Sequence, residues 1–269
     1  MADRLAILSG GGALPVALAT AHPDALRVVF AGVAHDLPAP VSEHQFEKMG
    51  TLFQTLRDEG VNRVVLAGGM SRPPLDPARF DDTMTRIAPR LVAALQEGDD
   101  ALLRLVIALF EEQGFAVVGA HELIDGLTAD EGLLAGSEPD ERAQKDAQRA
   151  TDILLALSPL DVGQAVVVEN GLCLGIETLQ GTDALLNFVA QTPEKLRRGD
   201  GGVLLKAPKR GQDLRVDMPA IGPDTVRNAA RAGLRGIVVA AGKVVVLDRP
   251  ALIEALEETG LFLMARRVL

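Results

Sequence analysis

Residues 201–225 hold, within one short stretch, the side chains that phosphate chemistry uses. Lys206, Lys209 and Arg210 are cationic, and Asp213, Arg215 and Asp217 follow at alternate positions. Ammonium and guanidinium groups neutralise phosphate charge. Carboxylates hold a divalent metal, which lowers the pKa of bound water and polarises a phosphoryl oxygen. Leu214, Val216 and Met218 interleave with the charges. That period of two predicts an extended segment over 212–218 with one buried face. An edge strand blunted by its charges would carry the same pattern. Residues 203–205 read as a buried strand that leads into a basic loop. Pro219 and Gly222-Pro223 stop the segment, and a helix is predicted from Asp224 or Thr225.

Other short motifs fall at the ends of predicted elements. Gly10-Gly11-Gly12-Ala13-Leu14-Pro15 follows a strand and opens a helix, where backbone amides favour an anion. A tight strand-to-helix turn would use the same residues. A dinucleotide site is disfavoured: Pro15 replaces the last glycine of that fingerprint, and no acid ends the second strand. Asp99 is predicted to cap a helix that Asp100 enters, with a metal or ribose contact as the alternative role. Arg72, in Ser71-Arg72-Pro73, either meets a phosphate or is a solvated loop arginine. His121 follows a strand and is either a ligand contact or a structural histidine; His22, His35 and His44 read as surface residues. Asp161 to Gln164, Gly181-Thr182-Asp183 and Gln212 to Asp217 all lie at element ends in the second half, which suggests one pocket where loops converge.

The elements that must position these residues alternate strand and helix over 1–130, predicting a Rossmann-like parallel α/β layer. Strands are predicted at 5–8, 27–30, 64–67 and 115–118, with helices over 46–59, 86–96 and 101–113. Residues 131–158 are charged and read as a connecting segment running into a helix. Residues 159–269 read as a mixed α/β domain. There a hairpin is predicted around Asn170-Gly171 and a second one pairs 237–239 with 244–247.

The 269 residues, 48% of them hydrophobic, suffice for two packed cores. A net charge of −10 argues against a nucleic-acid partner, which needs cationic surface. With no Trp or Tyr there is little to stack bases on. Cys173 is the single cysteine, so no internal disulfide forms, which fits a reducing cytoplasm. No apolar run reaches the roughly 20 residues needed to span a bilayer, so membrane contact is expected to be peripheral.

Taken in order, the motifs resemble a known family. They are Gly-Gly-Gly-Ala-Leu-Pro at 10–15, Ser-Arg-Pro at 71–73, Gly-Asp-Asp-Ala-Leu-Leu-Arg at 98–104 and Gly-Ala-His-Glu at 119–122. Asp-Val-Gly-Gln-Ala-Val-Val-Val at 161–168, Glu-x-x-x-Gly-Thr-Asp-Ala at 177–184, Lys-Ala-Pro-Lys at 206–209 and Arg-Val-Asp-Met-Pro-x-Ile-Gly at 215–222 complete the set. The chain resembles the LpxI-type UDP-2,3-diacylglucosamine pyrophosphatases of lipid A biosynthesis over nearly its whole length. The resemblance implies a Rossmann-like N-terminal domain, a distinct catalytic C-terminal domain and a homodimer. It implies a magnesium-dependent hydrolase, peripheral on the cytoplasmic face of the inner membrane, that releases UMP and lipid X by attack of water on the uridine-side phosphorus. On that footing Asp217 and Asp183 are the expected metal-binding and catalytic acids, with Arg215 and Lys206 beside them. Gly11, Gly12, Ala13, Leu14, Arg72, Asp99, Asp100, His121, Gln164, Thr182 and Lys209 are expected to contact substrate. Two departures stand out: Arg210 replaces an expected proline, and Ala240 an expected acid. The alternatives are a non-catalytic nucleotide-sugar or lipid-binding protein and a hydrolase of soluble nucleotide sugars.

Overall fold

The computed structural model describes residues 3–70, 74–197 and 201–268. It divides into two compact units. The first comprises Met1–Asp125 and Asp213–Asp217, the second Gly126–Gln212 and Met218–Leu269.

In the first unit, β1 (Leu5–Ser9), β2 (Leu26–Phe30), β3 (Ser42–His44), β4 (Arg63–Ala67) and β5 (Ala116–Val117) form a parallel sheet in the order β3-β2-β1-β4-β5. Every residue of β1 is buried, as a central strand covered on both faces requires. The helices are α1 (Ala13–Ala21), α2 (Met49–Asp58), α3 (Asp82–Glu97) and α4 (Asp99–Glu112). Strand order reverses at β1, so the crevice at the carboxyl ends of β1 and β4 is a topological switch point. The backbones close up there: Gly11 donates to Gly69 O at 2.8 Å and Gly69 to Gly11 O at 2.9 Å. A Cβ on Gly10 would stand 2.4 Å from Gly69 O, so this approach requires glycine.

The sheet of the second unit runs β6-β13-β11-β9-β7-β8 among the described residues. Its strands are β6 (Gly132–Ala135), β7 (Ala165–Glu169), β8 (Leu172–Ile176), β9 (Val203–Lys206), β11 (Gly236–Ala240) and β13 (Phe262–Arg266). β9, β11 and β13 are parallel, and β6, β7 and β8 pair antiparallel. β10 (Ala220–Ile221) and β12 (Val245–Val246) make a separate parallel pair. The helices are α5 (Glu141–Leu157), α6 (Gly181–Ala190), α7 (Pro223–Arg231) and α8 (Arg249–Thr259). The face of α5 carrying Ala143, Ala147, Ala150 and Leu154 is buried in the same core as β7 and β9. The hairpin around Asn170-Gly171 forms as the sequence predicts. Buried Asp146 of α5 accepts from the Asn170 and Gly171 amides at 2.9 and 2.7 Å.

Several expectations are corrected. Residues 131–158 do not link two domains; they supply β6 and α5 to the second unit. The hairpin expected over 237–247 does not form. β11 is buried along its whole length with β9 and β13 on either side, leaving no edge for 244–247, whose Val245 and Val246 pair with β10. Residues 212–218 are not extended either. The Asp213 carboxylate accepts from the Arg215 amide at 3.1 Å, and Asp213 O from the Val216 and Asp217 amides at 3.3 and 3.2 Å. An aspartate that bonds the backbone two residues on makes a turn, and this outcompetes the strand pattern. Gly98, not Asp99, is the cap of α4, and Asp99 and Asp100 fall in its first turn. His44 is buried at the end of β3, and His22 bonds Leu123 O at 2.8 Å, so neither is a free surface histidine.

Candidate active site

In the second unit, chemistry-bearing side chains gather at the carboxyl end of β9. Lys206 closes that strand with only 7% of its surface exposed, rather than sitting in a basic loop. Burying an ammonium this deeply demands oxygen partners. Its Nζ donates to Thr182 Oγ1 at 2.6 Å, in the first turn of α6, and Thr182 Oγ1 donates to Glu177 Oε2 at 2.8 Å. A hydroxyl has one proton. Giving it to Glu177 turns a Thr182 lone pair toward Lys206. Glu177 is placed by its own amide, which bonds Ala165 O at the start of β7 at 2.8 Å.

Beside this chain, the loop after β9 is tied to the loop before β7. Ala207 N bonds Gln164 O at 3.0 Å, and Arg210 N bonds Ser158 Oγ at 2.6 Å. The Lys209 ammonium makes a close ion pair with Asp161, and its amide donates to Gln212 Oε1 at 2.9 Å. Asp183, exposed in the first turn of α6, accepts from Asn228 Nδ2 of α7 at 2.7 Å. Asn228 Oδ1 in turn accepts from Arg231. The positive end of the α6 dipole favours the Asp183 carboxylate.

The first unit holds the other expected residues. Gly11 and Gly12 lie in the turn to α1, with Ala13 and Leu14 in its first turn, and Gly12 N donates to Asp36 Oδ2 at 3.3 Å. Asp100 pairs with Arg104 at 2.8 Å. His121 sits in a 3-10 turn at Ala120–Glu122, close over Gly119, and its Nδ1 is buried with no hydrogen-bond partner. The turn at 213–217 packs Val216 on this unit's core. Arg215 is engaged on two sides: it donates to Asp213 Oδ2 at 2.7 Å and to Glu111 Oε1 at 2.8 Å. The Arg215 guanidinium holds the Asp213 carboxyl below the usual range, and the two carboxylates push the guanidinium's pKa up. Asp217 ends this turn, half-buried. Arg72 lies outside the described residues.

The structure thus brings Thr182 to Lys206, Asp161 to Lys209, and the Gln164 backbone to Ala207. Arg215 meets Asp213 and Glu111 in the first unit. Glu177, Asn228 and Arg231 have contacts that sequence reasoning did not assign. Asn228 left a trace, as a polar residue on the buried face of α7 beside Val226 and Ala229.

No group of three or more His, Cys, Asp or Glu converges as a metal cage among the described residues. Magnesium does not need one; it takes one or two carboxylates and completes its shell with water and phosphate oxygens. Asp183 in the second unit and Asp217 in the first each carry a carboxylate, the hard oxygen donor that this ion takes.

Comparison with known proteins agrees over both units. Residues 4–127 match the LpxI N-terminal domain and residues 130–264 the LpxI C-terminal domain. The chain is 41% identical over 271 residues to the UDP-2,3-diacylglucosamine pyrophosphatase LpxI of Caulobacter vibrioides, covering 97% of this chain and 96% of that protein.

Proposed function

The chain belongs to the LpxI family, and on that premise we propose that it hydrolyses the pyrophosphate of UDP-2,3-diacylglucosamine to UMP and 2,3-diacylglucosamine 1-phosphate (lipid X). The observation that carries the reading is the match of both domains together with 41% identity across the whole chain. Water attacks the uridine-side phosphorus: its oxygen bonds that phosphorus, the bond to the bridging oxygen breaks, and the acylated sugar phosphate leaves. Asp183 and Asp217 would each offer a carboxylate to magnesium, which would supply charge neutralisation and a more acidic water. Asp217 orients the attacking water. Lys206, fixed by Thr182 and Glu177, meets the charge that develops on the phosphoryl oxygens, and its burial keeps that interaction out of water's high dielectric. Lys209, held by Asp161, neutralises a second phosphate charge. Arg215 fixes the turn that presents Asp217.

Gly11, Gly12, Ala13 and Leu14, with Arg72, Asp99, Asp100, His121, Gln164 and Thr182, make the remaining substrate contacts in this reading. The partner is an acylated nucleotide sugar at the cytoplasmic face of the inner membrane, and the enzyme acts there as a peripheral homodimer. No helix among the described residues is long and apolar enough to cross a membrane. Leu179 and Phe188, 92% and 64% exposed, lie just before α6 and along it. Apolar side chains left in water by the helix that carries Thr182 and Asp183 support contact with acyl chains.

The test is UMP release from UDP-2,3-diacylglucosamine in detergent micelles, with magnesium or with EDTA, for the native chain and Asp217→Ala. Magnesium-dependent release that collapses in the variant is expected. Release that persists in EDTA, or in Asp217→Ala at the native rate, overturns the assignment of metal and acid. Equal cleavage of soluble UDP-sugars overturns the lipid substrate.

A further inference from the structure

Asn228 is 9% exposed on α7, yet its amide is directed at a carboxylate that stands in solvent, Asp183. An exposed carboxylate needs no protein donor for its own solvation, since water supplies it. Burying a carboxamide to reach it confers orientation instead. Chemistry fixes which way the carboxamide points. A guanidinium has donors only, and Arg231 Nη2 lies against the other end of the group, so that end is the oxygen. The amide NH2 must then face Asp183 Oδ1, at 2.7 Å. We propose that Asn228 is a positioning residue for Asp183, with Arg231 as the group that locks its amide. Asn228 holds one carboxylate oxygen and so sets the direction in which the other, Oδ2, meets a ligand. Groups that orient a metal-binding carboxylate typically alter affinity or turnover by about 10–100-fold.

The inference rests on the reading that Asp183 serves the hydrolysis, and the experiment separates the two. Asn228→Ala, Asn228→Asp, Arg231→Ala and Asp183→Ala are compared for kcat, KM, the magnesium concentration at half-maximal rate, and manganese binding without substrate, followed by electron paramagnetic resonance. Asn228→Asp keeps an acceptor for Arg231 but removes the donor facing Asp183. The expected result for both Asn228 variants is a fall in kcat of about 10–100-fold, KM for the lipid within about twofold, and manganese binding weakened in step with the magnesium requirement. Arg231→Ala, which frees the amide to flip, should show the same pattern with a smaller change. Native kcat and native manganese affinity in folded Asn228→Ala overturn the proposal. If Asn228→Ala does not fold, Arg231→Ala decides by the same two readouts. Native turnover in Asp183→Ala removes the premise. Loss of turnover there, with native behaviour in the Asn228 and Arg231 variants, overturns the positioning role alone.

Discussion

Replacing Thr182 by Val removes one hydroxyl and keeps the shape. In the native chain that hydroxyl accepts from the Lys206 ammonium at 2.6 Å and donates to Glu177 at 2.8 Å. The variant leaves the ammonium of buried Lys206 short of one oxygen and puts a methyl group in its place. A hydrogen bond to a charged group contributes about 1.5–3 kcal/mol, and an unsatisfied partner adds its desolvation cost. Lys206 has a further partner besides Thr182, so the lower part of that range applies, about 1.5–2 kcal/mol. For a protein of this size that lowers Tm by roughly 3–8 °C. The catalytic effect should be larger than the structural one. A misplaced charge-stabilising donor costs about 100-fold in rate, read as kcat in the UMP-release assay with KM little changed. Thr182→Ser, which retains the hydroxyl, should recover most of both losses. Native kcat and native Tm in Thr182→Val would refute the relay. So would a Ser variant as impaired as the Val one, because the methyl contact rather than the hydroxyl would then be responsible.

Three further perturbations probe the frame around this group. Arg215→Ala should destabilise the first unit near neutrality, and the gap in Tm from the native chain should narrow on acidification. Asp213 has its folded pKa depressed by Arg215, so its contribution is present above the unfolded carboxyl value and lost as pH falls through the folded one. A constant gap between pH 6 and pH 3, measured by thermal melts, would sink that account. Gly10→Ala should cost about 1–3 kcal/mol in urea denaturation, because the new Cβ, 2.4 Å from Gly69 O, forces the ends of β1 and β4 apart. Ala240→Asp should lower the unfolding free energy, measured by urea denaturation, by about 3–5 kcal/mol without raising turnover. Ala240 is 1% exposed in the apolar core at the end of β11, and the guanidinium of its cross-strand partner Arg266 is already engaged by Thr151, so a new carboxylate there is poorly compensated. A gain in kcat at native stability would show that the position accepts the acid.

Local patterns carried much of the fold. The parallel first sheet and the hairpin at Asn170-Gly171 both follow from periodicity and turn chemistry within a few residues. The failures have equally local causes. At 212–218 a period of two concealed an Asp213 side chain that bonds its own backbone. At 237–247 two apolar runs flanking a glycine looked like a hairpin, whereas the burial of β11 on both sides depends on β9 and β13, which are distant in sequence. The candidate site divides the same way. Lys206, Thr182, Asp183 and Asp217 could be picked out by residue type and spacing. The contacts of Lys206 with Thr182 and of Asn228 with Asp183 could not, because they join residues 24 and 45 positions apart.

The turn at 213–217 bears on how the chain is made. Val216 joins a core whose other members all precede residue 118. At ribosomal rates of about 5–20 residues per second, that core waits roughly 5–20 s for its last side chain, while most of the second unit's early strands emerge. The chain passes between the units three times, at 125/126, 212/213 and 217/218. A single cut near residue 128 therefore leaves the five residues that complete the first unit on the other fragment. Two separately expressed halves would each carry a defect that neither half's own sequence reveals.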